Sequence, residues 1–130
     1  MIDVKKFQRA MREIAAKKGP FTLFALFLRE NAIIGWDLVV SSSWLQEPSL
    51  KQLREFCNTL KKIVGTKQLL ELAQVVPINR DNPGLKEVLS KVQIDDGLVE
   101  VHQVVFFDHQ IKHAIFLTAK RVVARKKRIA

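Results

Sequence analysis

Residues 20–31 read Pro20-Phe21-Thr22-Leu23-Phe24-Ala25-Leu26-Phe27-Leu28-Arg29-Glu30-Asn31, a block that is apolar on nearly every side and closes on charge. How it folds sets the arrangement of everything after it. Gly19 and Pro20 end a preceding amphipathic segment, and a proline suits the first turn of a helix, where its missing N–H costs little. The block is accordingly read as a second helix running toward Asn31. A helix without a polar face has to be covered, by a sheet or by the same helix of another copy. Phe24 and Phe27 are then the side chains expected between subunits of a homodimer formed through the second helix. The run from Phe21 to Leu28 is too short to cross a bilayer, and no apolar segment and cleavage site follow in signal-peptide order. The expectation is a cytoplasmic protein without a membrane role.

Upstream, Val4, Phe7, Met11, Ile14 and Ala15 recur at helical spacing with Lys5, Arg9, Arg12 and Lys17 mainly on other faces, which predicts a first helix. Downstream, Ile33 to Val40 reads as a strand that Ser41-Ser42-Ser43 terminates. Ser49 and Gln52 have the spacing of a capping box, and Leu50, Leu53, Phe56, Cys57, Leu60 and Ile63 give the following helix an apolar face until Gly65. Thr66 caps a short turn. Ala73 to Ile78 reads as a second strand, with Pro77 favouring its end or a sheet edge because it lacks a ladder donor. Asn82 and Pro83 suit the N-cap and first position of a helix that turns Leu85, Val88, Leu89 and Val92 inward. Asp95-Asp96-Gly97 is a turn, and Leu98–Phe107 and Ile111–Thr118 read as a hairpin joined across Asp108-His109-Gln110. The order α-α-β-α-β-α-β-β predicts an α/β fold with a mixed, mainly parallel four-stranded sheet ending in an antiparallel hairpin. One domain is expected over residues 1–119, with a basic tail or short helix over 120–130.

A chain of 130 residues with 48% apolar content can bury a substantial core, and its net charge of +9 is unevenly spread. Residues 1–30 hold seven Lys/Arg against three acids, residues 31–111 eight against ten, and residues 112–130 seven against none. Cationic ends on a slightly acidic middle point to a polyanion partner met by the termini. Lys5, Arg9 and Arg12, together with Lys120, Arg121, Arg125, Lys126, Lys127 and Arg128, are the candidate nucleic-acid-binding residues. Such side chains track phosphates, giving affinity without sequence readout and a steep dependence on salt. Tyrosine is absent and most of the phenylalanines fall on core positions, so a base-stacking platform is not expected. The leading expectation is a non-enzymatic module that binds nucleic acid or another polyanion.

A second expectation is a small enzyme or anion receptor at the sheet edge. If the first three strands run parallel, their C-terminal ends bring together Ser41, Ser42, Ser43, Arg80, Asp81, Asp108 and His109. Hydroxyls, a guanidinium and the helix N-terminus at Asn82 would then hold a phosphate or carboxylate. No catalytic motif accompanies them: the glycines at 19, 35, 65, 84 and 97 are too scattered for a phosphate loop, and no nucleophile elbow surrounds the serines. Asp96, Glu100 and Lys112 lack the acid-x-lysine spacing that metal-dependent nucleases use.

For His102 and His113, hairpin register decides the geometry. A loop of two or four residues leaves them diagonal neighbours on one face with Glu100 beyond, and a loop of three puts them on opposite faces. Their spacing matches no metal motif, so neither a metal nor a cofactor is expected. Cys57, the one cysteine, falls on an apolar stripe and reads as a small hydrophobe. Asp37, inside an apolar strand, needs a partner if it faces the core.

Overall fold

Phe21–Arg29 is extended, and as strand β1 it occupies the centre of a five-stranded sheet. The computed structural model describes residues 1–121. Around β1 the chain runs α1 (Val4–Lys18), β1, β2 (Trp36–Ser42), α2 (Leu50–Val64), α3 (Thr66–Leu69), β3 (Leu72–Pro77), α4 (Pro83–Lys91), β4 (Val99–Phe106) and β5 (His109–Ala119). The sheet order is β3-β2-β1-β5-β4. Only β2 and β3 run parallel, linked by the α2–α3 crossover; the other three pairings are antiparallel. The expected second helix and the mainly parallel four-stranded sheet are therefore both replaced.

The physical reason lies in how β1 is covered. Phe24 and Leu26 face one way, into a core with Phe7, Ala10, Met11 and Ile14 of α1 and Phe56, Leu60 and Val64 of α2. Leu23, Ala25 and Phe27 face the other way, into a core with Leu85 and Val88 of α4 and with Val92. A strand covered on both faces has no polar side, so its sequence loses the alternation that marks a half-exposed strand. Burying one Leu or Phe contributes about 1.5–3 kcal/mol, whereas helix propensities of ordinary residues differ by at most about 0.7 kcal/mol. Burial on two faces therefore decides the conformation. Phe24 and Phe27 are spent on this internal core, 0% and 3% exposed, so neither is available to join subunits as expected of a second helix.

Two local signals act as read: Ser49 and Gln52 form the reciprocal capping box of α2, and Asn82 with Pro83 opens α4. Asp3, which the sequence reading passed over, caps α1, and Thr66 is no cap but the first residue of α3, preceded by Gly65 with no side-chain cap hydrogen bond. Strand ends differ from expectation: β2 reaches Ser42, where Ser41 pairs with Leu23 and Ser42 with Phe21. The hairpin turn is Phe107-Asp108 rather than Asp108-His109-Gln110, and His109 already pairs with Phe106. Phe107 and Asp108 have φ of 53° and 64°, as a two-residue turn matched to the twist of its strands requires. Among the described residues, no helix is long and apolar enough to cross a membrane.

Candidate functional site

The helices α1 and α2 lie against each other on the same side of the sheet. Their inward stripes are apolar, so their charge is displayed outward. On α1, Lys5, Lys6, Arg9, Arg12, Lys17 and Lys18 are exposed with the single acid Glu13; on α2, Lys51, Arg54, Lys61 and Lys62 are exposed with Glu55. Some of these cations are engaged internally. Arg9 pairs with Glu13 at 2.7 Å, and Arg12 donates to Asp96 at 2.7 Å, while Lys120 holds Asp95. The Arg12 guanidinium keeps the Asp96 carboxyl below the usual carboxylate range, and the same hydrogen bond raises the arginine. For Lys17, Lys18 and Lys62 no carboxylate lies within ion-pair distance among the described residues. These three lysines line one cleft between α1 and α2, with Trp44, Gln52, Glu55, Asn58 and Thr59.

The sequence pointed to Lys5, Arg9 and Arg12 on α1 and overlooked α2. The signal was present in Lys51, Arg54, Lys61 and Lys62, which fall off the apolar stripe of that helix. Lys120 and Arg12 line a common cleft, whereas Arg121, the last described residue, lines a groove with Arg80 and Lys86. Arg125, Lys126, Lys127 and Arg128 lie outside the described residues.

The strand-edge set is brought together only in part: Gln46 joins the loops after β2 and β3, donating to the Ser42 carbonyl and accepting from the Arg80 amide, but His109 lies elsewhere. Ser41 and Ser42 are strand residues, fully buried, with hydroxyls that find no hydrogen-bond partner among the described residues; only Ser43 is exposed. β1 pairs Phe21 with Ser42 at one end and Arg29 with Ile111 near His109 at the other. The serines and His109 are thus separated by about the length of a nine-residue strand, roughly 25–30 Å. The expectation failed because β5 is antiparallel to β1, which sends the β4–β5 turn to the far edge. Arg80 and Asp81 instead line a groove with Thr22, Gln46, Lys86 and Arg121, where the Arg80 amide donates to Gln46 Oε1 at 3.1 Å. Asp108 lines a cleft against Asn82, Pro83, Gly84 and Glu87 at the opening of α4, and together with His109 a second one beside Arg29, Glu30 and Asn31.

Asp37 does face inward, and its partner is Arg29, whose Nε donates to Oδ2 at 2.8 Å. Cys57 is half-buried, and desolvation pushes its thiol up, which disfavours the nucleophilic thiolate.

The histidines meet more closely than any of the weighed registers allowed. His102 sits directly opposite His113, because the turn is placed one residue earlier than the alternatives considered. Their rings stack with centroids 4.3 Å apart and planes at 20°. Glu100, two residues before His102, lies on the same face with Oε1 2.7 Å from His113 Nε2. The edge-on ring of Trp36, 5.3 Å from His113, closes the inner side. Asp96, named alongside Glu100 as a candidate acid, is taken up by Arg12 and Gln8 instead.

Comparison of the chain with protein-family models, with curated proteins and with solved structures finds no match in any of the three. The fold defines a mixed α/β protein, a class that does not by itself fix a function.

Proposed function

We propose that the chain is a non-enzymatic module that binds polyanions, nucleic acid foremost, through the α1–α2 face and the basic segment that follows β5. The observation that carries this reading is the cleft lined by Lys17, Lys18 and Lys62 against one acid, Glu55, with none of the three lysines within ion-pair distance of a carboxylate among the described residues. Unpaired ammonium groups on neighbouring helices match phosphates spaced along a strand, and releasing condensed counterions drives the binding. Arg9, Arg12 and Lys120 are assigned a smaller part than the sequence suggested, because each already holds an acid. A cytoplasmic setting, where the unpaired Cys57 thiol would persist, belongs to the same proposal.

Labelled duplex and single-stranded DNA and RNA, titrated at rising salt, test it. The affinity should fall linearly on logarithmic axes, by about 0.9 per phosphate contacted on duplex DNA and about 0.7 on a single strand. A Lys17→Glu, Lys18→Glu, Lys62→Glu variant should bind more weakly on every sequence, and removing residues 120–130 should weaken binding further. Salt-insensitive binding, no binding, or full affinity in the triple variant would falsify the proposal.

A second reading, a receptor for a small phosphate or carboxylate ligand, is favoured by the groove that holds Arg80, Lys86 and Arg121 against one acid, Asp81. It lies just beyond the C-terminal ends of the two parallel strands, the edge where open α/β sheets receive ligands. Calorimetry with inorganic phosphate should show binding that Arg80→Ala removes; heat indistinguishable from dilution rejects this reading.

A further inference from the structure

The geometry points to a divalent transition-metal site on the β4–β5 hairpin, formed by Glu100, His102 and His113. Each of these residues offers a ligand atom, and the three atoms all lie within 4.8 Å of one another. A tetrahedral ion bound at about 2.0–2.1 Å needs donors about 3.4 Å apart, so binding requires the stacked rings to splay until both in-plane lone pairs meet the ion, a movement that falls mainly to the exposed His102. The ion would take the place of the contact between Glu100 and His113, 2.7 Å apart, with the carboxylate turning from imidazole to metal.

Two features of the backbone and one packing contact make the arrangement a constellation rather than a chance meeting of surface chains. The ladder pairs His102 with His113 directly, so their Cβ separation is set by sheet geometry, not by loop conformation. Glu100 belongs to the same face by the two-residue period of β4. Trp36 on β2 packs against the main core and meets the His113 ring edge-on, which restricts its plane. Glu100 and His102 are exposed, so the ion has an entry path and keeps a position open to water or an exogenous ligand.

Two imidazole nitrogens and one carboxylate oxygen suit zinc and its first-row neighbours, not magnesium or calcium, which prefer all-oxygen shells. With three protein donors, the coordination left open would accept a phosphate or carboxylate oxygen, the Lewis-acid role of such a centre. This inference is independent of the polyanion reading, because it uses neither the α1–α2 cleft nor the basic segment.

The full chain, free of any affinity tag, would be titrated with Zn²⁺ by calorimetry and with Co²⁺ by visible absorption. One ion per chain is expected, with the intense visible bands of four- or five-coordinate cobalt and a thermal transition raised by Zn²⁺ but not by Mg²⁺. His102→Ala and His113→Ala should each lower affinity by at least about tenfold, and Glu100→Gln should shift the cobalt spectrum. His109→Ala, at the first residue of β5 and outside the cluster, should bind as the unaltered chain does. His102 lies on an exposed edge, so its variant keeps the test open if the His113 variant does not fold. Absent Zn²⁺ binding, or equal binding in the His102→Ala chain, overturns the assignment.

Discussion

Two strands of the same sheet, β1 and β4, show opposite relations between sequence and exposure. Every residue from Phe21 to Phe27 is buried, because helices cover both faces of β1 and strands flank both its edges. β4 lies at the sheet edge, with Val99 and Val101 toward the α4 core and Glu100 and His102 toward solvent. Its alternation breaks at Gln103, where φ is 53°, and Val104 and Phe106 then both pack against that core. The lesson is that the best-formed strand carries no chemistry, since polar donors there would be desolvated without partners. The edge strand displays an acid and an imidazole at little cost, and the histidine cluster is found there.

The comparison can be broken most severely at β1. Phe24→Ala should cost about 3–5 kcal/mol, measured by denaturant unfolding, because a fully buried ring is removed between two helices and neighbouring strands. A cost near zero would mean that β1 is not the covered centre of the sheet. Next in size is Arg29→Ala at the end of the same strand, expected to destabilise by about 1–3 kcal/mol because Asp37 keeps a buried carboxylate without its cation. An Arg29→Ala, Asp37→Asn double variant should recover part of that loss; no recovery would show that the pair is not coupled.

A smaller effect is expected where α1 is tied to the turn before β4. The Arg12 guanidinium donating to Asp96 holds its carboxyl below the usual aspartate range, so its stabilising contribution is present above the unfolded value of about 3.9 and disappears as pH falls through the lowered folded value. Asp96→Asn should therefore melt slightly below the unaltered chain at neutral pH and together with it in strong acid. A gap that persists in acid would assign the effect to packing. The smallest change is predicted on β4 itself, where Val105 is 47% exposed and Val105→Thr should stay within about 0.5 kcal/mol. A large loss there would show that β4 is covered by something in solution and is not an edge.

The sharpest disagreement between sequence and structure is the Pro20–Asn31 block. A short, uninterrupted apolar run bounded by a Gly-Pro pair and by charge fits a buried helix and a doubly covered strand equally well by periodicity. Its three phenylalanines and a threonine favoured the strand, but such preferences are weak beside packing. Once β1 is misread, the sheet lacks its centre, β5 loses its neighbour and the strand ends fall on the wrong edge. That single error explains why Ser41 and His109 were grouped. The cluster of Glu100, His102 and His113 is partly legible in the sequence, since the two-residue period puts Glu100 and His102 on one face and leaves only the register of His113 open. Register depended on Phe107 and Asp108 forming the turn, although neither is glycine and the sequence there reads Phe-Phe-Asp-His.

By itself the sequence determined what is local: the cap at Ser49 and Gln52, the opening of α4 at Asn82 and Pro83, the amphipathic face of α1, and the cationic ends. Those features depend on groups within a turn or two of one another, whose hydrogen bonds and periodicity can be counted along the chain. Only the tertiary structure decided that residues 21–29 are a strand, that α1 and α2 share a face, and that His102 stands opposite His113. Each of those outcomes is set by burial against residues far away in the chain, and the free energy of that burial exceeds any local preference.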